Sequence, residues 1–137
     1  MTTHVDAALP AGSAIALFEL ASASDSPGHP HKAAPLYRQA LAAGLTGVRR
    51  RRAAIQLAST LRNLGHADES VALLTAERAA GSDELDDAVD GFLALALVDT
   101  GREREAAALA LGALARHLPR YNRSLSNYAK ALAAGAA

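Results

Sequence analysis

Gly28-His-Pro-His-Lys-Ala33, Gly65-His-Ala-Asp-Glu-Ser70 and Gly101-Arg-Glu-Arg-Glu-Ala106 are three versions of one phrase, spaced 37 and 36 residues apart in a chain of 137. Each carries apolar residues at helical spacing on both sides. Self-similarity at a period of about 20–50 residues marks stacked repeats, in which one supersecondary unit is copied and is stable only against its neighbours. Function in such a stack resides in a surface, so the chain reads as a binding module with no reaction centre.

Working outward from the glycines, apolar residues recur at Leu17, Leu20 and Ala21 before the break at Asp25-Ser-Pro-Gly-His-Pro30. Ala33, Leu36, Tyr37, Ala40 and Leu41 then form one helical stripe that stops at Gly44, a residue that accepts the left-handed backbone of a helix end. A second pair runs from about Val48 through Ala54, Leu57, Ala58 and Leu61 to Gly65, then from Ala67 to Ala80. The third begins with Ser82 as N-cap and first-turn acids from Ser82-Asp-Glu-Leu85, which complement the free amides of a helix start. It carries Leu93, Ala94 and Leu97 to Gly101. Its partner places Ala106, Leu109, Ala110, Ala113 and Leu114 on one stripe and runs to Leu118, where Pro119 cannot continue the hydrogen-bond ladder. Tyr121 to Ala133 is half polar, as a capping helix is.

The expected organisation is a flexible leader at 1–12 and one domain at 13–137. Its repeats lie at about 13–45, 47–81 and 82–118, with a capping helix at about 120–134. About a quarter of the chain is alanine and only five residues are aromatic, so helices are expected to cross on small side chains. Lysine plus arginine balances aspartate plus glutamate at 14 each, so no global field favours nucleic acid or an anionic membrane. Cysteine is absent, which removes disulfides, thiolate metal sites and cysteine nucleophiles. With no signal-peptide pattern and no apolar run of membrane-spanning length, the chain reads as cytoplasmic, without a membrane partner.

Leu20-Ala21, Leu57-Ala58 and Leu93-Ala94 each stand eight residues before their glycine, and Lys32-Ala33, Glu69-Ser70 and Glu105-Ala106 follow it. These elements resemble the tetratricopeptide repeat family, whose unit is two helices with small residues at the crossing and a glycine between them. The resemblance covers about Ser13 to Ala133. Pro35-Leu-Tyr-Arg-Gln-Ala-Leu-Ala-Ala-Gly-Leu45, followed by an Arg-rich helix, is similar to the bacterial subgroup called tetratricopeptide repeat group 5. The period exceeds the family's usual length of about 34 residues. Leu17, Ala54 and Asp90 replace its early tryptophan, and Glu77 stands where alanine is usual. The resemblance implies an all-α, right-handed α-α superhelix of three helix pairs plus a cap, with no enzymatic activity and no cofactor.

It also implies a concave groove lined by the first helix of each pair. The family's groove positions fall on Ile15, Phe18 and Ser22, on Arg52, Ile55, Ser59 and Arg62, on Gly91, Leu95 and Val98, and on Asn127 of the cap. The candidate partner-binding set is Phe18, Arg52, Ile55, Ser59, Arg62, Leu95 and Asn127. Ile55 and Ser59 stand where the family's carboxylate clamp needs lysine and asparagine, so that clamp is not expected. An apolar peptide or helix with an acidic end fits the mixed groove. The alternative is a homodimer, if Ile15, Leu17 and Phe18 leave an apolar end exposed.

The Arg49-Arg-Arg-Arg52 run could engage phosphates, but the start of the neighbouring first-type helix carries Asp83, Glu84, Asp86, Asp87 and Asp90. Rim pairing between successive repeats is therefore expected, with Arg51 opposite Asp87 and a further basic turn at Arg120 and Arg123. Nucleic-acid binding through this run is the weaker reading, because interleaved aromatics and a net basic balance are both missing. His29 and His31 lack the third and fourth ligands of a metal site. No serine has a histidine and carboxylate at triad spacing, so there are no candidate catalytic residues.

Overall fold

The computed structural model describes residues 11–25 and 28–135, and these residues form seven helices and no strand. The helices are α1 (Ala11–Asp25), α2 (Pro30–Ala42), α3 (Gly47–Asn63), α4 (Ala67–Ala80), α5 (Asp86–Asp99), α6 (Glu103–Ala115) and α7 (Asn122–Ala133). Each packs chiefly on the next in sequence, and α3 also touches α1 and α5. That is the contact pattern of three stacked helix pairs and a cap. The leader expected at 1–12 lies, for its first ten residues, outside the described residues.

The glycine phrases build the same turn three times. At Gly28, Gly65 and Gly101 the backbone has φ of 87°, 88° and 81°, the left-handed region in which a side chain is strained. In each turn the residue after the glycine donates its N–H to the carbonyl five positions back. His29 reaches Ser24 at 3.2 Å, His66 reaches Leu61 at 2.8 Å and Arg102 reaches Leu97 at 2.9 Å. This six-to-one bond closes a helix end and aims the chain back along the helix it has left. The next helix then opens with N–H bonds from Ala33 to His29, Ser70 to His66 and Ala106 to Arg102, all at 3.1 Å.

Small residues sit where each pair crosses. Ala21, Ala58 and Ala94 of the first helices and Ala33, Ser70 and Ala106 of the second are all buried. The leucine before each alanine diverges: Leu57 and Leu93 are buried, whereas Leu20 is 54% exposed. Leu57 and Leu93 each have a preceding pair to pack on, and α1 has none among the described residues.

Two apolar clusters fill the stack. The first joins Phe18, Tyr37, Leu45, Leu57 and Leu61, and the second joins Ile55, Leu74, Val89, Leu93 and Leu97. In an alanine-rich first pair, one aromatic couple supplies most of the volume. Phe18 and Tyr37 meet at 6.1 Å between ring centroids, and both are about 1% exposed. The Tyr37 hydroxyl donates to Asp25 at 3.4 Å; the Thr60 hydroxyl of α3 lies 3.3 Å from the same carboxylate oxygen but donates its one proton over the shorter 2.9 Å to the Gln56 carbonyl. Burial, foremost, raises the Tyr37 pKa.

Three boundaries differ from the sequence reading. The third pair opens at Asp86, not at Ser82, and no side chain caps α5. Residues 82–85 instead form a turn in which Asp83 accepts the Leu85 N–H at 2.8 Å and Asp86 accepts the Asp83 N–H at 3.0 Å. Asp and Ser side chains that can bond nearby amides favour such turns over a helical start. The helix α6 ends at Ala115, three residues before Leu118, so Pro119 follows a turn and does not terminate the helix directly. Tyr121, with φ of 65°, stands at the N-cap of α7 in a left-handed conformation.

Candidate functional site

Successive residues on a helix point about 100° apart, so four adjacent arginines cannot form one patch. The start of α3 sends Arg49 to solvent, Arg50 and Arg51 toward Glu77, and Arg52 to the opposite side. Arg49 is exposed. Arg50 grips Glu77 of α4 with both terminal nitrogens, at 2.9 and 2.6 Å, and this hydrogen bond raises its pKa above the ordinary guanidinium value. Arg51 is 4% exposed. Its guanidinium donates to the Glu77 carbonyl at 2.9 Å and to Asp86 at 2.7 Å, and its Nε lies 2.9 Å from Asp83. Arg52 turns the other way and stacks over the Phe18 ring at 5.2 Å, a cation held on the face of a buried aromatic.

Rim pairing between the second and third repeats is therefore present, through Asp83 and Asp86. The expected partner Asp87 is not the one Arg51 takes. Asp87 instead receives Arg116 from the turn after α6, with its Nε at 2.7 Å, and the ring of His117. Asp90, whose side chain is 6% exposed, joins Arg116 at 3.0 Å and Arg78 at 2.6 Å. Hydrogen bonding from Arg116 holds the Asp87 carboxyl below its ordinary pKa, and bonding from Ser82 does the same for Asp86. Arg120 and Arg123 form no ion pair with this acidic row among the described residues; Arg116 and His117 take that place. Glu77, anomalous as a sequence position, is the buried anion that receives Arg50.

The groove is expected on the face shared by α1, α3 and α5, and two of the residues assigned to it face inward. Phe18 and Ile55, at 1% and 7% exposure, belong to the two core clusters. They do not line a groove, because in a core this poor in large residues they are needed as filling. Ile15 and Leu17 are half-buried against the first cluster, so with Phe18 they do not form the exposed apolar end expected for a homodimer. Several polar groups of the face bond to one another across helices. Ser22 donates to Gln56 at 3.2 Å, and Arg62 pairs with Asp99 at 2.8 Å. Ser59 is half-buried nearby on α3. What stays open is an apolar strip on α5: Phe92, Leu95 and Val98 are 36%, 44% and 48% exposed. On a helical wheel they share the side away from the buried Leu93 and Leu97.

Asn127 is not part of that face. It lines a cleft of about 900 Å³ bounded by α4, α5, α6 and α7. The half-buried Leu109 and the exposed edges of the core residues Leu93 and Leu97 form its apolar floor, and Ala108, Gly112 and Ala115 on one side of α6 leave it open. Those three lie at positions i, i+4 and i+7, facing Ala129 and Ala133 of α7, which also line the cleft. Asn122, Ser126 and Asn127 add amides and a hydroxyl to the α7 wall.

Among the described residues no three His, Asp or Glu side chains converge as metal ligands, and no helix is long and apolar enough to cross a membrane. No curated protein and no solved structure matches the chain. A family model described as "Tetratrico peptide repeat" matches residues 14–132, nearly the whole chain, and it is the group 5 form that the segment around Tyr37 resembles. With the thrice-repeated glycine turn and the small residues at each crossing, this match places the chain in the tetratricopeptide repeat family, whose members in general mediate protein–protein interactions.

Proposed function

We propose that the protein is a non-enzymatic interaction module, with 13–137 as one domain, that holds a helix or peptide of another protein against the face formed by α1, α3 and α5. The observation that carries this reading is the apolar strip of Phe92, Leu95 and Val98. Its neighbours on α3 are occupied by ion pairs and cross-helix hydrogen bonds, which leaves the strip as the apolar anchor and Arg52 as an exposed polar edge. Phe92, Leu95 and Val98 fall at i, i+3 and i+6 along one side of α5, an apolar ridge against which the apolar face of an amphipathic partner helix can lie.

Phe92→Asp combined with Leu95→Asp tests it. Both side chains are already in contact with water, so the fold is expected to persist, with an unchanged circular dichroism spectrum. A partner captured from native lysate by the wild-type chain should be lost by this variant. Retention of every captured protein by the folded variant refutes the assignment. The same strip fits self-association, and light scattering separates the two. A dimer that the double substitution dissociates assigns the strip to a second copy, whereas a monomer with partner loss assigns it to another protein.

A further inference from the structure

The cleft between α4, α5, α6 and α7 lies apart from the α5 strip: it takes Leu93 and Leu97, on the opposite side of that helix. Five cationic side chains and two anionic ones line it. Most are already committed. Asp90 holds Arg78 and Arg116, and Arg102 grips Glu105 with two hydrogen bonds at 2.7 and 2.8 Å. Arg123 and Lys130 of α7 have no anionic partner among the described residues, although both line the cleft. They stand seven residues apart, with Ser126 and Asn127 between them, on one side of the helix. The cleft therefore combines an apolar floor with a wall that carries two uncompensated positive charges.

We infer that this cleft is a second docking site and that its occupant is an acidic, amphipathic segment of a partner protein, with apolar side chains on the leucine floor and carboxylates against Arg123 and Lys130. Charge complementarity selects the acid, since carboxylates brought to these cations also steer the encounter. The floor selects a peptide over a polynucleotide. The half-buried Leu109 and the exposed edges of Leu93 and Leu97 offer contact to aliphatic side chains, whereas no aromatic ring lines the cleft to stack a base. Asn122, Asn127 and Ser126 can bond the peptide backbone, which a buried extended or helical segment must satisfy. The site uses neither Phe92 nor Leu95, so it stands or falls independently of the reading above.

A random peptide library displayed on phage and selected on the full chain reads the chemistry without a known partner. Enriched sequences are expected to combine Asp or Glu with Leu, Ile or Phe. A synthetic peptide from that set, titrated by fluorescence anisotropy, should bind about tenfold more weakly to Arg123→Glu/Lys130→Glu. It should bind undiminished to Phe92→Asp/Leu95→Asp and lose affinity with added salt. Arg123→Gln/Lys130→Gln serves as the milder variant if charge reversal disturbs α7, and should show a smaller loss in the same direction. Enrichment of neutral or basic peptides, failure to enrich any, or affinity indifferent to both α7 variants overturns the inference. So does a single-stranded oligonucleotide that binds more tightly than the selected peptide and displaces it, or dimerisation of the chain through the same α7 residues.

Discussion

Removing Arg51 and Arg50 singly and together tests whether the basic run is structural. In Arg51→Met the methionine keeps much of the buried volume, but the Glu77 carbonyl, which accepts from Arg51 at 2.9 Å, is left inside without a donor, at about 1–3 kcal/mol. The Glu77 carboxylate, 7% exposed, still holds Arg50 at 2.6 Å. No buried charge is orphaned, so the full cost of breaking a buried pair, about 3–5 kcal/mol, is not reached. Asp83 and Asp86, at 27% and 40% side-chain exposure, return to water. The net expectation is about 2–3 kcal/mol. In Arg50→Met the carboxylate keeps Arg51 at 3.6 Å, and the loss should be about 1 kcal/mol. In the double variant Glu77 has neither cation, and the cost should exceed the sum of the singles by about 1–2 kcal/mol. Urea unfolding followed by circular dichroism measures all three, with Arg49→Met as the exposed control expected within about 0.5 kcal/mol of wild type. Additive losses, or an Arg51→Met cost equal to that of Arg49→Met, would refute the buried ionic knot.

Gly101→Ala forces a side chain onto a φ of 81° and should cost about 1 kcal/mol or more, whereas Gly91→Ala, inside α5 with nothing within 4 Å of the added carbon, should stabilise by roughly 0.5–1 kcal/mol; thermal melts with the same sign for both would contradict the repeat-turn assignment. Tyr37→Phe loses a long 3.4 Å contact to a carboxylate, Asp25, that is only half-buried, so it should cost under about 1 kcal/mol, against roughly 3–5 kcal/mol for Tyr37→Ala, which empties the first core. Asp86 and Asp87 have folded pKa values lowered from 3.8, so their contribution is present above the ordinary carboxylate range and is lost as pH falls through the lowered values. Melting temperature should thus be insensitive to these groups near neutrality and fall in strong acid, with a shallower fall in Asp86→Asn/Asp87→Asn; an equally steep fall in that variant would remove the two carboxylates from the account.

Much of the fold was legible because the turn that makes the repeat has a strict backbone requirement. Only glycine accepts the left-handed φ at positions 28, 65 and 101 without strain, so the requirement survives in the sequence while the flanking residues vary from Pro-His to Arg-Glu. Alanine at each crossing is constrained in the same way, by the approach of two backbones. Helix starts were less legible. Ser82-Asp-Glu-Leu85 has the composition of an N-terminus, yet its carboxylates bond amides within their own turn and delay α5 by four residues. Cap chemistry and turn chemistry use the same side chains, and only the positions of Arg51 and Asp86 decide between them.

Surface function was less legible still, for a reason specific to a chain this rich in alanine. Groove positions carried over from a family of bulkier cores assume that the residue beside the core stripe is free to face a partner. Here large side chains are scarce, and in the first two pairs burial takes two that the family pattern aims at the groove: Phe18 and Ile55 are drawn inward while Phe92 and Leu95 of the third stay exposed, and Arg52 follows Phe18 to cover its ring. The same scarcity acts in the opposite sense at the other end of the stack. Between α6 and α7 no large side chain fills the space left by Ala108, Gly112 and Ala115, and a cleft remains with Arg123 and Lys130 on its wall. Aromatic residues are present there too, but Phe92, Tyr121 and Tyr128 stay exposed instead of filling that space, so burial of Phe18 and Tyr37 closes the first pair while the last keeps its cleft.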